Sequence, residues 1–132
     1  MAVARDNAER LALRNVTFMR SDWYSAVPDE RFDAILSNPP YVAPGDPHLT
    51  EGDLRFEPRI ALCPGDDAFR ALKAIIAGAA ARLVPEGSLI VEHGFDQSEV
   101  VLQLFDASGF GDVRPFRDLA GIPRIVAGRA PG

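Results

Sequence analysis

Phe32-Asp33-Ala34-Ile35-Leu36-Ser37-Asn38-Pro39-Pro40-Tyr41 is an apolar run that stops abruptly at an asparagine, two prolines and a tyrosine. A short, nearly continuous apolar run predicts a strand buried on both faces, the kind found in parallel sheets. The two prolines supply no N–H and hold φ near about −65°, so a strand over Phe32 to Ser37 ends in a stiff turn whose carbonyls are free to meet a ligand. A ligand site is expected there, because open α/β sheets bind at the carboxyl ends of their strands.

The flanking sequence supports an α/β fold. Asn15 to Arg20 and Ser88 to Glu92 read as further strands of the same kind. Between Ser37 and Ser88 a helix is predicted from the spacing of Phe69, Leu72, Ile76, Ala79 and Leu83, opened by Asp66-Asp67 and closed by Pro85-Glu86-Gly87. Strand, helix and strand make a βαβ unit. Ala2 to Leu13 reads as an amphipathic helix with Val3, Ala8, Leu11 and Ala12 on one face. A last helix over Gln97 to Ser108 turns Val100, Val101, Leu104 and Phe105 inward, and strands follow near Val113 to Phe116 and Pro123 to Ala127. The irregular stretch from Asn38 to Gly65 leaves the carboxyl end of the central strand, and long loops in compact domains tend to be functional.

Composition narrows the function classes. With 132 residues and 47% hydrophobic content the chain suits one compact domain, and its net charge of −5 lacks the basic footprint of a protein that grips a phosphate backbone by itself. Direct nucleic-acid binding is therefore not expected. No apolar run approaches the roughly 20 residues that span a bilayer, so no membrane association is expected and a cytoplasmic location is. Cys63 has no second cysteine to pair with, and His48 and His93 have no clustered ligand spacing, so no metal site is expected. There is no internal repeat.

Asn38-Pro39-Pro40-Tyr41 carries the chemistry. A planar amide or exocyclic amine is a poor nucleophile because its lone pair is delocalised, so a site that alkylates it must position the nitrogen and accept hydrogen bonds from its two N–H groups. Asn38 Oδ1 can accept one and the carbonyl of Pro39 the other, while the Tyr41 ring packs against the planar group. A bare Asn-Pro-Pro can equally be an ordinary turn. The apolar strand before it and the tyrosine after it favour the site.

These residues resemble motif IV of the class I methyltransferases that act on amino nitrogens: glutamine in proteins, adenine in nucleic acids, guanine in ribosomal RNA. The motif alone leaves the three open. Asp46-Pro47-His48-Leu49 and Glu51-Gly52-Asp53-Leu54-Arg55-Phe56-Glu57-Pro58-Arg59-Ile60-Ala61-Leu62 are similar to the loop of the release-factor glutamine methyltransferases, the HemK or PrmC family. Val91-Glu92-His93-Gly94 and Arg124-Ile125-Val126-Ala127-Gly128-Arg129 also resemble that family. Two departures, Asp67-Ala68-Phe69 and Cys63-Pro64, imply local loop changes.

The resemblance implies a partial Rossmann-like class I methyltransferase sheet that uses S-adenosyl-L-methionine and acts on a peptide chain release factor. Asn38, Pro39, Pro40 and Tyr41 form the implied catalytic turn; Asn38, Pro39, Tyr41 and Glu57 contact the substrate; Asp22, Trp23 and Asn38 contact the cofactor. A turn-capping carboxylate and a rim hydrophobe are the plain alternatives for Asp22 and Trp23. A ribosomal-protein glutamine methyltransferase, a nucleic-acid amino-methyltransferase and a non-catalytic peptide-binding remnant remain alternatives for the whole. No Gly-x-Gly loop precedes a helix, so residues 1–132 are expected to be the carboxyl-terminal portion of one catalytic domain, without its first two strands, its Gly-rich loop or the helical substrate-recognition domain.

Overall fold

The computed structural model describes residues 1–39 and 69–132, which divide into two compact units, Met1–Glu30 and Arg31–Gly132. In the first unit, helix α1 spans Ala2–Arg10. It stops short of the expected Leu13 because Ala12 takes a left-handed φ of 55°, so that the N–H groups of Ala12 and Leu13 turn back to the carbonyls of Glu9 and Ala8, at 3.0 and 2.9 Å. This is a Schellman closure with alanine where glycine is usual. Of the expected apolar face only Ala8 is buried; Val3 and Leu11 are exposed. Asn15 to Arg20, expected to be a strand, pairs with no strand among the described residues. A strand needs a neighbour for its backbone groups, and none stands beside this segment within its own unit. The Arg5 guanidinium lies 6.0 Å from the centre of the Phe18 ring, at the outer limit of a cation–π contact.

The second unit holds β1 (Phe32–Ser37), α2 (Arg70–Ala79), β2 (Leu83–Glu92), α3 (Ser98–Ala107), β3 (Gly111–Arg117) and β4 (Pro123–Arg129). The strand order is β1-β2-β4-β3, with β1 and β2 parallel and the other two pairs antiparallel. The βαβ unit is as the sequence predicts, but β2 begins earlier, at Leu83 rather than Ser88. Phe32 pairs with Leu83 and Ala34 with Ser88, so the residues between bulge out of the ladder, with Glu86 at φ 64°. Gly87 makes the bulge possible: a Cβ there would lie 2.9 Å from the carbonyl oxygen of Val84.

One face of this sheet is the core. Leu72 and Ile76 of α2, Val101 and Phe105 of α3, Leu89 and Val91 of β2 and Val126 of β4 are all fully buried. Their spacing follows the elements, i and i+4 on the helices and every second residue on the strands. The rings of Phe105 and Phe110 meet at 5.2 Å and 54°, a tilted aromatic pair. The other face is not closed in this unit. Leu36 of β1 is 71% exposed, and Ile35 and Ser37 on the helix side are only half-buried, so the expectation that β1 is buried on both faces does not hold. An apolar run states what a strand can bury; what covers it is decided elsewhere in the chain.

Candidate active site

The parallel register sets the geometry of the carboxyl edge. Ile35 lies opposite Leu89 and Ser37 opposite Val91, and paired residues of neighbouring strands share a face. Ser37 and then Pro39 therefore continue the helix-covered face, while Leu36 and then Asn38 continue the open one. Burial agrees, since Pro39 is buried and Asn38 exposed. The turn is anchored by its proline ring and offers its amide to solvent. On the neighbouring strand the same alternation puts Glu92 on the side of Asn38 and His93 on the side of Pro39.

His93 is fully buried, so it does not line the open crevice. Its Nδ1 lies 2.7 Å from the carbonyl oxygen of Gly94, and because a carbonyl only accepts, Nδ1 carries the proton. The other ring nitrogen, Nε2, is buried without a hydrogen-bond partner. Gln97 is buried as well, and its Oε1 accepts the N–H of Gly94 at 2.8 Å. The sequence reading leaves out Gln97 as a turn residue; the only signal for it is its place three residues after Gly94.

Asp22 and Trp23 lie in the first unit, in a turn built by two serines. Ser21 Oγ accepts the N–H of Ala26 at 2.9 Å and donates to the carbonyl of Trp23 at 2.8 Å, while Ser25 Oγ accepts the N–H of Asp22 at 3.1 Å. Trp23 is held at φ 52°, a conformation that a bulky side chain rarely adopts and that the surrounding hydrogen bonds must enforce. Its ring is 41% exposed and the Asp22 carboxylate is exposed. An exposed ring beside an exposed carboxylate fits a nucleoside base and a hydrogen-bond donor on it. Pro40, Tyr41 and Glu57 lie outside the described residues, as do Cys63 and the expected helix opening at Asp66-Asp67.

Elsewhere the charged groups belong to the fold. Asp118 closes the hairpin between β3 and β4: its Oδ1 accepts the N–H groups of Ile122 and Ala120 at 3.0 and 2.9 Å, and its Oδ2 faces Arg124 Nε at 3.4 Å. These contacts, the Ile122 N–H foremost, hold its carboxyl below the ordinary value of 3.8. A cleft of about 410 Å³ among Glu86, Gly109, Asp112 and Arg129 sits at the opposite end of the sheet from Asn38. Among the described residues no group of three or more His, Cys, Asp or Glu side chains could hold a metal ion, and no helix is long and apolar enough to cross a membrane.

Comparison with known proteins places the fold. The family model described as the methyltransferase small domain matches residues 1–52. A methyltransferase from Pyrococcus furiosus superposes on 99% of this chain and 57% of its own, with a TM-score of 0.65 at 16% identity, a likeness of fold alone. The architecture is thus part of a Rossmann-like class I methyltransferase sheet.

Over nearly its whole length the chain is similar to release factor glutamine methyltransferases. The protein of that name from Burkholderia pseudomallei is 51% identical over 98% of this chain and 48% of its own length; that from Escherichia coli is 41% identical over 98% of this chain and 47% of its own. The chain spans about half the length of the curated relatives it matches.

Proposed function

We propose that this chain carries the acceptor-binding part of an S-adenosylmethionine-dependent enzyme that methylates a glutamine side-chain nitrogen in a peptide chain release factor, in the cytoplasm. The exposed amide of Asn38, at the carboxyl end of β1 and anchored by the buried Pro39, is the observation that carries this reading. The identity to release factor glutamine methyltransferases supports the choice of acceptor.

When bound, S-adenosylmethionine supplies a methyl group on a positively charged sulfur. The exposed Trp23 ring and Asp22 carboxylate fit the adenine end of that cofactor, and its ribose and methionine need contacts from other residues. Asn38 Oδ1 accepts one N–H of the target amide and the Pro39 carbonyl the other. These bonds would orient the nitrogen lone pair toward the methyl carbon that the bound cofactor would supply, and the proton given up by the nitrogen would pass to solvent. Acceptors on both N–H groups become stronger partners as positive charge develops on the nitrogen, so they act on the transition state more than on the bound substrate.

The test is Asn38→Ala in the intact enzyme. Losing one acceptor at the reacting nitrogen should lower turnover on the order of a hundredfold, with little change in cofactor affinity. Near-normal turnover rejects the clamp.

A further inference from the structure

Directly after β2 the chain turns at Gly94 and presents Phe95, 56% exposed, at the edge from which Asn38 also departs. The residues around it are built to hold this turn still. Both backbone polar groups of Gly94 are engaged: its N–H donates to Gln97 Oε1 at 2.8 Å, and its carbonyl accepts His93 Nδ1–H at 2.7 Å and the N–H of Gln97 at 3.1 Å. The N–H of His93 donates in turn to the carbonyl of Arg124 on β4 at 2.8 Å, tying the turn to the sheet. Among the described residues His93 and Gln97 are the buried polar side chains.

This arrangement is costly. His93 Nε2 is a buried acceptor with no partner, and such a group is destabilising where an apolar side chain of similar size is not. Beyond satisfying the backbone of Gly94, a turn that only had to connect β2 to α3 has no use for two buried polar side chains. A turn that must present one side chain in one place does, because contact surfaces next to a reaction are effective when their supports are rigid. The side chain presented is an aromatic ring without a hydrogen-bonding group.

We infer that Phe95 is a substrate-contact residue: its ring, held by the His93–Gly94–Gln97 lock, is the apolar surface on which the acceptor polypeptide packs beside its target glutamine. This rests on the acceptor-binding reading above. A polypeptide suits the ring better than the ribose and amino-acid ends of the cofactor do, because those groups call for polar partners, and the adenine end is already assigned to Trp23. Peptide backbone and side-chain carbon beside a glutamine do not. Binding at such a surface is equal in ground and transition states, so it acts on KM and leaves kcat alone.

Steady-state methyl transfer to a release factor by the intact enzyme tests this in Phe95→Ala, Phe95→Tyr and Gln97→Leu. Leu119→Ala, fully exposed on the β3–β4 hairpin, serves as control. For Phe95→Ala the KM for release factor should rise about tenfold, with kcat and the KM for S-adenosylmethionine within about twofold of wild type. Phe95→Tyr should restore KM, Gln97→Leu should raise it by loosening the lock, and Leu119→Ala should leave it alone. An unchanged KM for release factor in Phe95→Ala, or a change that falls on S-adenosylmethionine, overturns the inference while leaving the proposed function standing. Failure of the wild-type enzyme to methylate any polypeptide overturns both.

Discussion

Asn38 and Pro39 are neighbours that serve opposite faces. Their residue types suit the proposed amide-binding turn, because an acceptor pair on a stiff backbone suits a reluctant nitrogen nucleophile. The sidedness was not legible: it depends on the register of β1 against β2, which places Pro39 under the helices and Asn38 on the open face. His93 follows the same alternation, which sends it to the core. Gly128 of β4 marks a further point that only contact explains. A Cβ there would lie 2.8 Å from Cδ1 of Phe105, so Gly128→Ala should cost about 1–3 kcal/mol by forcing the ring aside, read as a lower midpoint in denaturant at unchanged slope. A larger loss, about 3–5 kcal/mol, is expected for Phe105→Ala in the same measurement, because the fully buried ring leaves a cavity.

The elements were legible where the signal is periodic and illegible where a turn departs from its usual residue. Helices α2 and α3 follow apolar spacing, and β4 follows its apolar run. The end of α1 was missed because alanine, not glycine, occupies the left-handed position at residue 12. Ala12→Gly should therefore relieve strain of up to about 1 kcal/mol and raise amide-exchange protection at Leu13, whose N–H closes the turn. The early start of β2 was hidden by Pro85-Glu86-Gly87, which reads as a helix stop and is a bulge inside a strand. In the β3–β4 hairpin, the folded-state carboxyl of Asp118 titrates below its ordinary value, so the ionised form stabilises the hairpin. That contribution is fully present above pH 3.8 and is lost as pH falls through the lower folded value. Exchange at the amides of Ala120 and Ile122 should accelerate across that acid range, and Asp118→Ala should remove the pH dependence. An identical profile in the variant would show that these amides are held by something else.

At the scale of the molecule, fold class and family resemblance were both legible, because an apolar strand running into Asn-Pro-Pro-Tyr combines a topology with a chemistry. What covers the second face of the sheet was not. Among the described residues strand β1 is an edge strand, paired only with β2, and carries Leu36 on its open face. Apolar edges of this kind recruit other strands, so the 132-residue chain by itself should self-associate, and Leu36→Lys should shift it toward monomer in sedimentation velocity. The proposed acceptor is tested most directly by offering the intact enzyme a release factor, DNA and ribosomal RNA together with methyl-labelled S-adenosylmethionine and locating the label. Label is expected on a glutamine side chain of the release factor, dependent on Asn38. Label confined to nucleic acid would contradict it.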